Sequence, residues 1–188
     1  MNKTLLTVAG LFLGAMALTG LTFISYNNSF VRMDEEIKGM WAQVENQLKR
    51  RADLIPNLVE TAKGFAGHEK EVFGRIADAR SRVVASKDLK SQIESNNELS
   101  GALAGLRLIV ENYPTLKSDA TFTRLMDELA GTENRIAVER GRYNESVKSY
   151  NASLRQLPGS LIAGMMGFQS ATYFEVSVAD KAAPKVSF

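Results

Sequence analysis

The sequence predicts an all-α protein: an N-terminal transmembrane helix, then an elongated antiparallel helical bundle whose first and last helices are long. Three observations predict this fold. The stretch Thr4–Val31 contains no charged residue. Apolar residues beyond it recur at alternating steps of four and three, the spacing of packed helices. The chain has only four prolines in 188 residues, and proline is the residue that most strongly interrupts a helix.

The first element is a membrane anchor, assigned to residues 1–28. Its apolar centre, Leu5–Ile24, is twenty residues long, and twenty helical residues cover ~30 Å, the thickness of the hydrocarbon core. A cleaved signal peptide is the alternative, because Lys3 precedes the apolar run and Ala15–Ala17 has a small-x-small pattern. The run continues through Leu18 and beyond, which favours a retained helix.

The positive charges on the two sides of this anchor are nearly balanced, so they do not by themselves decide its orientation. Lys3 lies on one side, and Arg32 and Lys38 lie on the other. The very short leading tail favours a cytoplasmic N-terminus, with the body on the non-cytoplasmic side. Gly10 and Gly14 form a GxxxG step that lets two membrane helices approach closely, although glycine is also common in isolated membrane helices.

The body, residues 29–158, begins with a helix predicted over Ser29–Ala66. Pro56 removes a backbone hydrogen bond there and should kink the helix near Ala52. The seam of this helix has one charged member and comprises Ile37, Trp41, Val44, Leu48, Arg51, Ile55, Leu58, Ala62 and Phe65.

Three further helices follow in the prediction. The second covers His68–Ser86 and faces inward through Phe73, Ile76, Val83 and Val84. Residues 86–97 are polar and turn-rich, and the third helix covers Glu98–Asn112, ended by Pro114. The fourth covers residues 118–157, and its seam comprises Phe122, Leu125, Leu129, Thr132, Ile136, Tyr143, Val147, Tyr150, Leu154 and Leu157.

The helix lengths predict that part of the long seams is exposed. The first and fourth helices are each ~55–60 Å long, whereas the hairpin of the other two reaches only ~25–30 Å. The hairpin therefore leaves a two-helix stalk with uncovered apolar side chains, which usually find a partner. We predict a homo-oligomer with an interface at Gly10, Gly14, Trp41, Tyr143 and Tyr150. The three aromatic residues could alternatively form a ligand cage, but this spacing is more typical of a core.

Antiparallel pairing of the long helices predicts a buried polar layer. If they run from a common end, the numbers of facing residues sum to about 184, which pairs Trp41 with Tyr143 and Arg51 with Glu133. An ion pair that fixes register is the expected role, with Asn134 or Gln47 completing its hydrogen bonds.

The C-terminal part, residues 159–188, is an apolar segment followed by an extended tail over 176–188. A short buried helix is one interpretation of the segment Leu161–Phe168. The other follows from a fourth helix that descends toward the membrane. Its end places an apolar set at the level of the bilayer surface, against lipid or a second subunit: Leu161, Ile162, Met165, Met166 and Phe168.

Composition argues against catalysis, cofactors and metal sites. The chain has no cysteine and one histidine, His68, whose neighbourhood lacks the second histidine of a zincin helix, since Val72 stands there. A Ser-His-Asp triad is also disfavoured, because His68 is the one histidine that could serve as its base. The net charge of +2 is too small for a dedicated nucleic-acid-binding protein. We therefore predict a protein that is not an enzyme, with no catalytic, cofactor-binding or metal-ligating residue.

Several motifs in order resemble the LemA family over nearly the whole chain after the anchor. They are Arg50–Val59, Glu111–Pro114, Thr132–Ala137, Tyr143-Asn144, Tyr150-Asn151, Gly167-Phe168, Tyr173–Glu175 and Pro184–Phe188. The resemblance implies a bacterial single-pass protein of the cytoplasmic membrane with a helical-bundle domain and no established enzymatic activity. It also implies that relatives occur among magnetosome-membrane proteins. Members of the family are often encoded near membrane metalloproteases.

These observations together predict a membrane-anchored, self-associating helical scaffold. Its partners are expected to be the lipid bilayer and further copies of itself, and its role is expected in membrane organisation or envelope stress. The alternative is an adaptor or regulator of a membrane metalloprotease.

Overall fold

A computed structural model describes residues 3–175, and every regular element in that range is a helix. The helices are α1 (Lys3–Lys63), α2 (Lys70–Ala85), α3 (Leu89–Val110), α4 (Pro114–Lys117), α5 (Ala120–Arg155) and α6 (Gly159–Met166). The predicted all-α class with long first and last body helices is confirmed. The predicted extended tail, 176–188, lies outside the described residues.

Helix α1 joins the anchor and the first body helix without a break. It contains an apolar window near the N-terminus that is long enough to cross a membrane, and α1 is the one such helix among the described residues. Side chains of this window, such as Leu11 and Leu18, are exposed. No structural boundary separates residues 28 and 29.

The chain divides into two compact units, which differ from the predicted division. The first comprises residues 3–41 and 143–173, and the second comprises 42–142 and 174–175. The segment 159–173 thus belongs with the first part of α1 and the last part of α5.

The second unit has one apolar core built by α1, α2, α3 and α5. Ile55, Leu58, Ile76, Leu99 and Leu106 are among its almost fully buried members. The predicted seams account for most of this core, with two corrections. Phe65 is exposed because α1 ends at Lys63, and Ala66 is buried instead; Val84 is also exposed.

Helix α1 continues through Pro56, which cannot donate a hydrogen bond to the carbonyl of Ala52. That carbonyl accepts a hydrogen bond from Arg80 Nε at 2.9 Å instead. Ala52 is buried, so an unpartnered carbonyl there would be costly. Arg80 of α2 therefore compensates for the proline of α1.

Helix α3 begins nine residues before the predicted start. Asp88 caps it, because its side chain accepts a hydrogen bond from Ser91 N at 3.0 Å, and this bond lowers the Asp88 pKa. The segment predicted as polar and turn-rich is thus the first half of a helix. Ser95 and Asn96 of this half are buried.

Candidate membrane-facing site and buried polar layer

In the first unit, α1 and α5 meet through aromatic and apolar side chains. Trp41 and Tyr143 lie edge to face with ring centroids 5.3 Å apart, as the register predicted. Tyr143, Val147 and Tyr150 are buried. Desolvation raises the pKa of the Tyr143 phenol to about 12.

The residues that follow α6 cover this aromatic seam. Tyr143 Oη donates a hydrogen bond to the carbonyl of Thr172 at 2.7 Å. The amide of Asn151 bonds both backbone groups of Ala171, donating to its carbonyl and accepting from its N–H, each at 2.9 Å. These are contacts to main-chain atoms, so an irregular segment is held without contributing a helix.

This cover corrects the predicted subunit interface. Tyr143 and Tyr150 are 1% and 2% exposed within one chain, so the uncovered stalk on which the interface prediction depended is absent. The C-terminal segment covers this part of α1 and α5. Gly10 and Gly14 remain open, since a methyl group added at either would meet nothing within 4 Å.

Helix α6 lies against the part of α1 that directly follows the apolar span. A Cβ atom at Gly159 would lie 3.1 Å from Phe30 Cζ and 3.5 Å from Tyr26 Cδ1, so the start of α6 lies close against α1. Phe168, just after α6, stacks edge to face on Phe30 at 5.3 Å between centroids. Both ends of α6 are therefore fixed to the same turn of α1.

The two faces of α6 differ in exposure and not in polarity. Ile162 and Ala163 are buried, and Phe168 is half-buried, so the predicted membrane contact of Ile162 is wrong. Leu161 is 65% exposed and Met165 is 78% exposed. Met166 is also exposed. Three of the five predicted membrane-level side chains are thus free to meet lipid.

The second unit contains the predicted ion pair. Arg51 Nη2 lies 2.9 Å from Glu133 Oε2, and the Arg51 side chain is 5% exposed whereas that of Glu133 is 46% exposed. The predicted register between α1 and α5 is therefore correct at this point.

The partners that complete the layer were predicted wrongly. Arg51 Nη1 donates to Asn96 Oδ1 and Ser100 Oγ, each at 3.0 Å, and both residues come from α3. Asn134 is exposed, and Gln47 Oε1 is buried without a hydrogen-bond partner among the described atoms. The prediction missed Asn96 because it placed that residue in a loop; the Asp88 cap was the signal that α3 begins earlier.

A cavity of 220 Å³ adjoins the layer. Its apolar wall includes Leu103 and Leu129. The polar residues that line it are Arg51, Ser100, Arg107 and Glu133. Within residues 3–175, no group of three or more His, Asp or Glu side chains is placed to hold a metal ion. The layer's evident role is to fix α1, α3 and α5 in one register.

The motifs of the chain are matched by the LemA family profile over residues 40–188. The chain belongs to the LemA family. Magnetosome protein MamQ 2 of Paramagnetospirillum magneticum is 28% identical in an alignment of 180 residues. The match covers 82% of this chain and 66% of that protein. Magnetosome protein MamQ of Magnetospirillum gryphiswaldense is 28% identical over 179 residues, covering 81% and 66%. Protein LemA of Metamycoplasma hominis is 20% identical over 167 residues, covering 88% and 76%.

The LemA match begins at residue 40, beyond the apolar window, and includes both the polar layer and α6. The chain spans about two thirds of the length of its magnetosome relatives. Helix α1 is a candidate membrane span on the basis of its own sequence and exposure, since the family match starts at residue 40.

Proposed function

We propose that this LemA-family protein is a non-catalytic scaffold anchored in the bacterial cytoplasmic membrane by α1, with its body on the non-cytoplasmic side. The observation that carries the proposal is the continuity of α1. One helix contains an exposed, uncharged window long enough to span a bilayer and also the buried seam of both units. A helix of this kind holds the helical body at a fixed distance from the membrane.

Self-association is the second part of the proposal, and it is assigned to the anchor. The aromatic seam is covered within one chain, whereas Gly10 and Gly14 are open. Small residues four apart let two helix backbones approach in lipid, where van der Waals packing drives association. The protein's proposed role is in membrane organisation or envelope stress, and the existence of relatives named as magnetosome proteins is consistent with the first of these.

Energy transfer between labelled copies in proteoliposomes tests this proposal. Gly10→Leu combined with Gly14→Leu is expected to abolish the transfer, because the bulky side chains block close approach. Gly20→Leu is the matched control, since Gly20 is equally open but lies on a different face of α1. Absence of transfer in the unsubstituted protein contradicts self-association, and co-purification of a metalloprotease at fixed stoichiometry would instead favour the adaptor.

A further inference from the structure

The outward face of α6 is an unpartnered apolar surface. Leu161, Gly164 and Met165 are exposed on this face, and Leu157, just before the helix, is 76% exposed. The inward face is also apolar. A helix that is apolar on every side is normally buried in protein or in lipid, and nothing else in the described chain covers this face.

The level of α6 along α1 identifies what covers it, given the proposed anchor. Phe30, which contacts both ends of α6, lies six residues beyond Ile24, or ~9 Å along the helix axis; Tyr26 lies ~3 Å beyond it. The headgroup region on each side of the hydrocarbon core is about 5–8 Å thick. The contacts of Gly159 and Phe168 therefore place α6 between these two levels, from within the headgroup region to its outer edge.

The charge pattern narrows the kind of bilayer surface. No charged residue occurs between Arg155 and Glu175, a stretch that includes all of α6. Interfacial helices that depend on anionic lipid carry Lys and Arg on their polar face. The contact made by α6 itself therefore depends on apolar area, and such binding is sensitive to how tightly the lipids pack.

We propose that α6 is an interfacial lipid-binding helix that inserts Leu161 and Met165 at the boundary of headgroups and acyl chains. It selects loosely packed bilayers and is indifferent to anionic lipid. This inference rests on the proposed anchoring by α1 and adds a second, shallow membrane contact beside the span.

Single-cysteine labelling of the full chain tests the inference, because the chain has no cysteine of its own. Met165→Cys is labelled with an environment-sensitive fluorophore and reconstituted in phosphatidylcholine vesicles that contain brominated acyl chains. Leu13→Cys, within the span, is the positive control. Glu145→Cys, exposed on α5 of the same unit, is the aqueous control. Bromine is expected to quench the labels at 165 and 13 and to leave the label at 145 unchanged.

The selectivity has its own readout. Quenching at Met165 is expected to fall in vesicles of saturated, tightly packed lipid. It is expected to stay constant when anionic lipid is added or when NaCl is raised to about 1 M, where the Debye length is only about 3 Å. Leu161→Ser, an exposed change that leaves the fold intact, is expected to reduce quenching at Met165 in loosely packed vesicles.

The failures are distinguishable. Quenching at Leu13 without quenching at Met165 overturns the inference and leaves the anchor standing. Absence of quenching at Leu13 overturns the anchor, and the inference with it. Quenching at Met165 that requires anionic lipid, or a Met165 label that reports another copy of the chain and no lipid, also overturns the inference.

Discussion

The polar layer predicts an unusual order of mutational effects: removing half-exposed Glu133 should destabilise the protein more than removing buried Arg51. In Glu133→Met the buried guanidinium loses the carboxylate that lies 2.9 Å from it. Breaking a buried pair in this way costs about 3–5 kcal/mol. We expect about 3 kcal/mol, because Asn96 and Ser100 still accept hydrogen bonds from Arg51 and the adjoining cavity of 220 Å³ admits water.

In Arg51→Met the stranded groups are different. Glu133 is half exposed and can be hydrated, and the Ser100 hydroxyl still donates to the Asn96 backbone carbonyl at 3.0 Å. One buried acceptor, Asn96 Oδ1, loses its donor, which costs about 1–3 kcal/mol. The double substitution to methionine at Arg51 and Glu133 should resemble Arg51→Met alone, since no charge is left buried.

Urea unfolding of the full chain in one detergent, followed by circular dichroism, measures these differences. Glu128→Met, an exposed carboxylate on the same helix, is the control and should change stability by less than about 0.5 kcal/mol. A larger loss for Arg51→Met than for Glu133→Met would refute the reasoning, because it would show that packing of the arginine outweighs its unbalanced charge.

Two further predictions concern backbone contacts. Arg80→Met should lower the free energy of unfolding by about 1–2 kcal/mol in the unsubstituted chain. The loss should be much smaller in a Pro56→Ala background, because the new N–H of residue 56 can bond the Ala52 carbonyl. Equal losses in both backgrounds, measured by urea unfolding in a double-mutant cycle, would contradict this account. Gly159→Ala should lower stability by about 1–3 kcal/mol, because its Cβ would lie 2.5 Å from a backbone oxygen, whereas Gly164→Ala has open space and should be neutral or stabilising; thermal unfolding of the two variants compares them, and equal melting temperatures would disprove the tight fit.

Sequence periodicity correctly predicted the side-chain contacts that are set by the register between α1 and α5. The pairs Trp41–Tyr143 and Arg51–Glu133 follow from heptad spacing and antiparallel pairing alone, because each helix face is defined by its own residues. The same reasoning failed for Asn96, since a polar run reads as a loop unless its cap is recognised.

Sequence periodicity could not predict that the C-terminal segment covers the aromatic seam, and the reason is physical. Residues 167–175 have no regular secondary structure, so no periodic pattern marks their position. Asn151 holds them through main-chain atoms, which every residue possesses. The Tyr150-Asn151 motif in the sequence gave no indication of what would bind to the asparagine.

The paired hydrogen bonds between Asn151 and Ala171 fix the number of residues between Phe168 and Ala171. The side-chain amide recognises the N–H and the carbonyl of one residue, whatever side chain other than that of proline this residue carries. Replacing Ala171 or Thr172 leaves those atoms in place. Inserting or deleting one residue between Phe168 and Ala171 turns the next peptide unit the wrong way, while Phe168 stays fixed on Phe30. Natural variation here should therefore appear as substitutions at constant spacing.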